Sequence, residues 1–326
     1  MSKQVIYLGV DVGAAELWVS SAGNKPRMFN HNKAGIKSLY RWAVKLAGDS
    51  TAHLCMEATG VYSQHVAIKL LELAGLEVSI VNPACIKAYA NVQLRRSKTD
   101  MIDAEVIRAY AESQQPSPWE PAATIKRQLY ELVAMADSVQ ASLQQWHNRR
   151  HAQGYIADLP EAVQKSQKAI EETYEEQLRD LEQAIDQLCA ADPELAQEVM
   201  ILESIPGIAR KTAVKLLANG REWLTERSAK ALTAHAGLAP HHYQSGTSVR
   251  GKSRIDKRGN VKLRNTLYMP ALVGIVHNPV LKTFYERLCR NGKPKKLALI
   301  ACMRKLLVIS RSMLINKNTF DHNYST

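Results

Sequence analysis

Asp11 and Glu57 are acidic residues within apolar sequence, and their positions favour a role in metal binding. Asp11 interrupts the strand-like run VIYLGVDVG, and Glu57 ends the apolar run HLCME. A buried carboxylate costs free energy unless it is paired or bound to a metal ion. Gly9 and Gly13 flank Asp11 and allow another group to approach the backbone closely. A second acid at a strand end of the same sheet strengthens this interpretation, because neighbouring strand ends lie within reach of one ion.

Asp100 and Asp103 lie three residues apart at the start of the helical pattern KTDMIDAEVIRAYAE. Carboxylates at this spacing project from one helix face, where their repulsion costs roughly 0.2–0.5 kcal/mol. A divalent cation between them would reverse the sign of that cost. The pair also has a simpler explanation, because Thr99 can cap the helix and acids in the first turn suit the helix dipole. Glu105, further along the helix, is interpreted as a solvated residue.

An α/β domain with a mixed sheet is predicted to bring the four acids together. Three strand-like runs within residues 5–31 are followed by a helix, a strand, a helix, a strand and a helix, and the first two helices are predicted to end at Gly48 and at Gly75. The sheet supplies Asp11 and Glu57, and the helix that begins near Asp100 can pack across that sheet. Four carboxylates from two strands and one helix suit two Mg²⁺ ions about 4 Å apart, which bind the attacking and leaving oxygens of a phosphodiester.

Composition divides the rest of the chain into two further regions. Three prolines within residues 116–121 end the first domain, so we predict domains at 1–118, 119–195 and 196–326. The middle region carries two heptad-like apolar patterns separated near HAQGYIADLP, which predict an antiparallel coiled-coil hairpin used for internal packing or for dimerisation. The last region is predicted to be mainly α-helical. Its segment LESIPGIARKTAVKLLA is typical of a helix-hairpin-helix element, although a plain helical connection explains it equally well.

The positive charge of the chain is concentrated at its C-terminal end. The net charge is +12, and the segment from His241 onwards holds 17 lysine and arginine residues against 3 acidic ones, which leaves +14. Such a segment indicates a polyanionic partner. The sequence contains no apolar run that matches a membrane span and no signal-peptide pattern, so a cytoplasmic location is expected. The five cysteines form no CxxC pair and indicate neither a disulfide framework nor a zinc site.

The motifs resemble those of a known family. Asp11 in GVDVG, Glu57 in MEATGVY and the two aspartates of SKTDMIDA follow the order of the DEDD, RuvC-like domain in transposases of insertion-sequence family one-ten, relatives of the Piv/MooV DNA invertases. The later motifs SIPGIARKTA, AGLAPHHYQSG and SRIDKRGNVKLRNTLY are similar to that family's C-terminal transposase domain. The resemblance implies an RNase H-like fold, Mg²⁺, a serine that forms a covalent phosphoserine intermediate with DNA, and a structured bridge RNA that pairs with donor and target DNA.

The resemblance also assigns roles to individual residues. It places the metal ligands at Asp11, Glu57, Asp100 and Asp103, and the nucleophile at Ser245 in QSG. The residues alone favour Ser245 less strongly, since a serine before glycine is common in turns and the same predicted glycine- and serine-rich loop contains two other serines, Ser248 and Ser253.

Basic side chains around Ser245 can neutralise a target phosphate. The predicted nucleic-acid-binding residues are Arg250, Lys252, Arg254, Lys257, Arg258, Lys262 and Arg264. For Lys262 and Arg264, a solvated basic helix face is the alternative. His241 and His242 are either proton-transfer groups or solvated loop residues.

The predicted function is that of an insertion-sequence transposase or site-specific DNA recombinase, acting on donor and target DNA with a guide RNA. A homo-oligomer is expected on DNA, either a dimer or a tetramer, and the active site lies either within one chain or between subunits. Three alternatives remain. A metal-dependent Holliday-junction endonuclease would use the acids with water. An actin-like or sugar-kinase ATPase would need further glycine-rich phosphate loops, and none is convincing. A non-catalytic nucleic-acid-binding protein would leave the four carboxylates without a role.

Overall fold

The computed structural model describes residues 4–93, 99–121, 123–156, 158–241, 244–245, 249–250, 254–255 and 259–321. The chain divides after residue 122 into two units, residues 1–122 and residues 123–326. The first unit is an α/β domain, and the second is mainly helical. None of the helices formed by the described residues has the length and apolar character needed to cross a bilayer.

The first unit is built on a mixed sheet of five strands in the order β3-β2-β1-β4-β5. The strands are β1 (Val5–Val12), β2 (Glu16–Ser21), β3 (Arg27–Asn30), β4 (Thr51–Glu57) and β5 (Leu76–Val81). The first three are antiparallel neighbours, whereas β4 runs parallel to both β1 and β5. The predicted run of three strands and the mixed sheet are therefore confirmed.

Four helices connect and cover these strands: α1 (Lys33–Ala47), α2 (Val61–Leu71), α3 (Pro83–Val92) and α4 (Asp100–Gln114). The sequence pattern predicted that α2 would continue to Gly75, but the helix ends at Leu71. Ala74 and Gly75 have φ values of 57° and 79°. These left-handed conformations end the helix and turn the chain into β5.

The two faces of the sheet pack against different helices. Leu8 and Val10 are fully buried in a core that also contains residues of α1 and α2. Side chains alternate along a strand, so Gly9 faces the other side. A Cβ atom at Gly9 would overlap the carbonyl oxygen of Ala104 and the backbone nitrogen of Arg108. Helix α4 therefore lies directly on the backbone of β1.

The second unit begins with two long helices and continues with shorter helices and small strand pairs. Its elements are α5 (Thr124–Gln153), α6 (Glu161–Ala191), α7 (Pro193–Glu203), α8 (Arg210–Thr225), α9 (Ala229–His235), β6 (Pro240–His241), β7 (Gln244–Ser245), β8 (Val249–Arg250), β9 (Arg254–Ile255), α10 (Val261–Thr266), α11 (Tyr268–His277), α12 (Pro279–Arg290) and α13 (Lys295–Asn316).

Helices α5 and α6 form the predicted antiparallel hairpin. Near the hairpin tip, Trp146 Nε1 donates a 3.2 Å hydrogen bond to the carbonyl oxygen of Gln167. At the opposite end, Leu129 of α5 and Ile185 of α6 lie in the same buried core as residues of α7, α8 and α13. The apolar stripe of the hairpin therefore contributes to internal packing at this end, and the hairpin belongs to the same unit as the C-terminal helices.

The predicted helix-hairpin-helix segment forms α7, a short turn and α8. Gly207 in this turn has a φ of 104°, which favours glycine. A Cβ atom there would lie 2.7 Å from the carbonyl oxygen of Pro270 and 3.1 Å from the backbone nitrogen of Gly274. The glycine thus has a packing role, because it allows the turn to sit against α11.

The contact at Gly9 predicts a large effect of a small substitution. We expect Gly9→Ala to destabilise the first unit by at least the ~1–3 kcal/mol typical of overpacked cores, because no side-chain rotamer relieves an overlap with backbone. Denaturant unfolding followed by circular dichroism measures this change. Gly154→Ala is the matched control, since Gly154 has helical torsion angles and its nearest contact would be 3.3 Å. Equal unfolding midpoints for the two variants would contradict close packing of α4 on β1.

Candidate active site

Asp11 and Glu57 lie side by side at the carboxyl ends of two parallel strands. The register of β1 and β4 pairs Gly9 with Cys55 and Val10 with Met56, and the next residues are Asp11 and Glu57. Adjacent strands are about 4.8 Å apart, and residues two apart share a face. Because Gly9 and Cys55 both face α4, Asp11 and Glu57 project to that side too. Asp11 is the penultimate residue of β1.

Asp100 and Asp103 occupy the first turn of the helix that covers this face. They continue the stripe of α4 that contains the buried residues Ala104, Ile107 and Ala111. Residues three and four apart share a helix face, so both carboxylates extend the stripe that packs on the sheet. Asp103 is half-buried and Asp100 is exposed. The helix start thus presents its acids on the same side of the sheet as Asp11 and Glu57.

The simpler explanation of the helix-start acids is also present in the structure. Thr99 is the N-cap of α4, and its hydroxyl oxygen accepts a 3.3 Å hydrogen bond from the backbone N–H of Ile102. Acidic residues in the first turn are stabilised by the helix dipole. Capping therefore accounts for the helix start, and metal binding would be an additional role of Asp100 and Asp103.

The four acids offer only carboxylate oxygens as ligands. Asp11, Glu57 and Asp103 are half-buried, which limits competition from bulk water. Hard divalent cations such as Mg²⁺ prefer oxygen ligands, whereas imidazole and thiolate ligands favour other metals. The donor set on this face of the sheet therefore fits a hard divalent cation.

Arg108 was not singled out by the sequence, and it holds α4 on the sheet. Its Nε donates a 3.3 Å hydrogen bond to the hydroxyl of Ser20 in β2. Its Nη1 forms a 2.5 Å ion pair with Glu112, one turn further along α4. From the sequence only the i,i+4 pair of Arg108 and Glu112 can be recognised, because the contact with Ser20 depends on how α4 crosses the sheet.

Ser245 lies in β7, in a segment where the sequence predicted a glycine- and serine-rich loop. The strand pairs β6–β9 and β7–β8 are together called the β-hairpin. The inner ladder pairs Pro240 with Ile255, and the outer ladder pairs Ser245 with Val249. Two of the predicted nucleic-acid-binding residues lie in the same ladders, Arg250 in β8 and Arg254 in β9. Lys252, Lys257 and Arg258 lie outside the described residues, as do Ser248, Ser253 and His242.

Lys262 and Arg264 lie on α10, directly after this hairpin, and both have partners within the protein. The exposed Lys262 Nζ is 3.1 Å from the hydroxyl of Tyr130 and 4.7 Å from the centre of its ring. The half-buried Arg264 donates from Nη1 to the carbonyl oxygen of Ala236 at 3.1 Å. Lys262 thus keeps an exposed charge, whereas the guanidinium of Arg264 is engaged at the base of the hairpin.

A cluster that the sequence did not reveal supports the base of the hairpin. His235 and Trp223 are stacked, with ring centroids 3.9 Å apart and an interplanar angle of 4°. Burial lowers the pKa of His235 below its ordinary value of 6.5. Asn260 caps α10 by accepting a 3.0 Å hydrogen bond from the backbone N–H of Leu263, and its Nδ2 donates to the carbonyl oxygen of Asn219 at 3.2 Å.

A second group of potential metal ligands lies near the tip of the helical hairpin. The donor atoms of His147, Glu171 and Glu175 lie within 4.8 Å of one another. His147 Nε2 is 2.8 Å from a carboxylate oxygen of Glu171, and Arg150 pairs with the same carboxylate. These contacts form a network of ion pairs that links α5 to α6.

The first unit is compatible with an RNase H-like, DEDD-type domain, because its mixed five-stranded sheet carries acids at the ends of adjacent parallel strands. Residues 8–153 match the family model of DEDD-type IS110 transposases. Residues 199–286 match the model of the transposase IS116/IS110/IS902 family. The chain belongs to the IS110 family of transposases.

Similar proteins include two that are named for the inversion of a pilin gene. The chain is 34% identical to the pilin gene-inverting protein of Moraxella bovis over an alignment of 333 positions, which covers 98% of each chain. It is also 34% identical to the pilin gene-inverting protein of Moraxella lacunata, again over 98% of each chain. An uncharacterized 43.6 kDa protein of insertion element IS110 from Streptomyces coelicolor is 32% identical over 43% of this chain and 33% of that protein. The protein is a DNA transposase or recombinase.

The carboxylate face predicts stabilisation by a divalent cation. We expect a saturating concentration of Mg²⁺ or Mn²⁺ to raise the melting temperature, since a ligand at 100 times its Kd stabilises a protein by about 2.7 kcal/mol. Asp11→Asn should abolish the shift, measured by thermal unfolding with and without the metal. Glu16→Gln, which changes an exposed acid at the start of β2, should retain it. A full shift in Asp11→Asn would exclude this face as the metal site.

The burial of His235 predicts a pH-dependent stability. Since its pKa is lowered in the folded protein, the stability that it contributes is present above its ordinary pKa and is lost as the pH falls through the lowered value. We therefore expect the wild type to lose more thermal stability between pH 7 and pH 5 than His235→Gln, although the variant starts lower because it lacks the stacking on Trp223. An equal decrease in the melting temperatures of the two proteins between pH 7 and pH 5 would contradict the expectation.

Proposed function

We propose that this transposase cuts and rejoins DNA through a phosphoserine intermediate formed by Ser245, with Mg²⁺ bound by Asp11, Glu57, Asp100 and Asp103. The observation that carries the proposal is the adjacent placement of Asp11 and Glu57 at parallel strand ends, in a chain similar over its full length to DNA-inverting proteins. The family resemblance of the motif around Ser245 supports the choice of nucleophile.

The four carboxylates would hold the metal through oxygen atoms only. Mg²⁺ bound there would act as a Lewis acid and stabilise negative charge on the scissile phosphate and on the leaving oxygen. The protein contributes the fixed positions of the ligands: β1 and β4 hold two of them on the sheet, and α4 presents the others from its first turn. Replacement of Asp11 or Glu57 should therefore abolish DNA cleavage while leaving nucleic-acid binding largely intact.

In the proposed reaction, the hydroxyl oxygen of Ser245 attacks the scissile phosphorus. A serine–phosphate bond forms, the bond from phosphorus to the 3′ oxygen breaks, the serine proton passes to a base, and the 3′ oxygen leaves with the electron pair. Attack by a 3′ hydroxyl of another strand reverses these steps and releases the serine. The number of phosphodiester bonds is conserved, so the exchange requires no ATP.

The basic residues of the C-terminal segment fit the polyanionic substrates of this reaction. The segment from His241 carries a net charge of +14, and cationic side chains near phosphates supply most of the sequence-independent affinity. Arg250, Lys252, Arg254, Lys257, Arg258 and Lys262 are the proposed phosphate contacts. We propose that a structured bridge RNA selects donor and target DNA by base pairing, so that the protein reads helix shape and backbone.

The proposal assigns the protein a homo-oligomeric state on DNA, because recombination requires at least two scissile phosphates to be held together. Light scattering of the complex with RNA and DNA would distinguish a dimer from a tetramer. A complex with a single copy of the chain would contradict this part of the proposal.

The proposal predicts a covalent protein–DNA adduct that depends on Ser245. Wild type incubated with its element-flanking RNA, labelled junction DNA and Mg²⁺ should give a band of reduced mobility on a denaturing gel. Ser245→Ala should abolish that band because it removes the nucleophilic oxygen. Ser248→Ala, which changes another serine of the same segment, is the matched control and should retain the adduct.

Asp11→Asn tests the metal site in the same assay. It should abolish the adduct while the affinity for DNA and RNA, measured by gel shift, stays close to that of the wild type. Cleavage without an adduct, unchanged in Ser245→Ala, would instead identify a metal-dependent junction endonuclease that uses water. Appreciable adduct in Asp11→Asn would exclude the assigned metal ligand.

A further inference from the structure

The hairpin that carries Ser245 is clamped at its base. The backbone N–H of Asn260 donates a 2.6 Å hydrogen bond to the carbonyl oxygen of His235. A Cβ atom at Gly259 would overlap the backbone nitrogen of Gly237 and the carbonyl oxygen of His235. Gly237 itself has a φ of 67°, which favours glycine. The chain therefore enters and leaves the hairpin through two backbone segments in direct contact.

Arg264 joins this clamp through a charge-assisted hydrogen bond. Its Nη1 donates to the carbonyl oxygen of Ala236 at 3.1 Å, and Ala236 is fully buried. Arg264 is half-buried, whereas Lys262, two residues earlier on α10, is exposed. Hydrogen bonds from charged donors are stronger than neutral ones. The guanidinium thus fixes the C-terminal end of α9, which leads into the hairpin, to the helix that follows it.

We propose that Arg264 is a positioning residue, which fixes the direction of the hairpin and thereby the position of Ser245, and that it does not contact phosphate. The inference rests on the proposed role of Ser245. It changes the expectation from the sequence, in which Arg264 was one of the nucleic-acid-binding residues.

Because Ser245 is distant from the base of the β-hairpin, its position is sensitive to small movements at that base. Ser245 lies five positions after Pro240 in the chain, so the two residues are at most about 17 Å apart. A tilt of about 10° at the base would then move Ser245 by up to about 3 Å. Since a misplacement of about 1 Å can cost roughly 100-fold in rate, a small loss of rigidity at the base would be sufficient to slow the reaction strongly.

Salt dependence separates a positioning residue from a phosphate contact. Each phosphate contact contributes about −0.9 to the slope of log K against log salt concentration on duplex DNA. We expect Arg264→Gln to leave the affinity and slope unchanged, and to lower the rate of adduct formation at saturating DNA by roughly 100-fold. Lys262→Gln is the matched comparison, because it changes an exposed cation on the same helix and should reduce the magnitude of the slope by about 0.9.

Hydrogen exchange gives a readout that is independent of the reaction. In the free full-length protein, Arg264→Gln should speed amide exchange in the peptide that covers residues 233–240, and Lys262→Gln should not. Arg264→Lys keeps a charged donor and should restore part of the adduct rate and part of the protection. This variant also tests the proposal if Arg264→Gln fails to fold.

The outcomes distinguish this inference from the proposed function. A reduced slope with a normal adduct rate and unchanged exchange in Arg264→Gln would identify Arg264 as a phosphate contact and overturn the inference. Absence of an adduct in the wild type would overturn the role of Ser245, while faster exchange in Arg264→Gln would still establish the clamp. Unchanged exchange would reject the clamp whatever the wild type does.

Discussion

The close packing of α4 on the backbone of β1 at Gly9 is the constraint on which the carboxylate face depends. A side chain at this position would push the helix away from the sheet. The absence of a Cβ atom allows Ala104 to lie against the strand, one residue from Asp103. Arg108, on the same helix, then reaches Ser20 on β2. One glycine therefore sets the distance between the acids of the helix and those of the strands.

Much of the first unit was predictable because its strands and helices have strong local patterns. Buried β-strands are apolar runs, and Thr99 and Gly48 mark a helix start and a helix end by capping. Parallel strands end at the same edge of a sheet, so the neighbouring positions of Asp11 and Glu57 follow from topology. The end of α2 was misjudged because Ala74 adopts a left-handed conformation, which the type of that residue does not indicate.

The contacts around Ser245 were less predictable because they join residues far apart in sequence. Arg264 looks like any other cation of a basic helix until its 3.1 Å bond to Ala236 is seen. The stacking of Trp223 on His235 likewise has no signature in local composition. Charge counts identify a basic segment, but they do not separate the cations that face solvent from those that hold the fold together.

In the helical hairpin of α5 and α6, the buried core involves one end of the two helices, whereas the length of the helices is set independently of that core. Helix α5 contains 30 residues, which correspond to about 45 Å. The buried core holds the end near Leu129 and Ile185, and polar contacts such as His147 with Glu171 hold the end near the tip. Paired insertions or deletions of seven residues in both helices would preserve the facing stripes. The reach of this arm is thus a dimension that evolution can lengthen or shorten in steps while the core of the second unit stays the same.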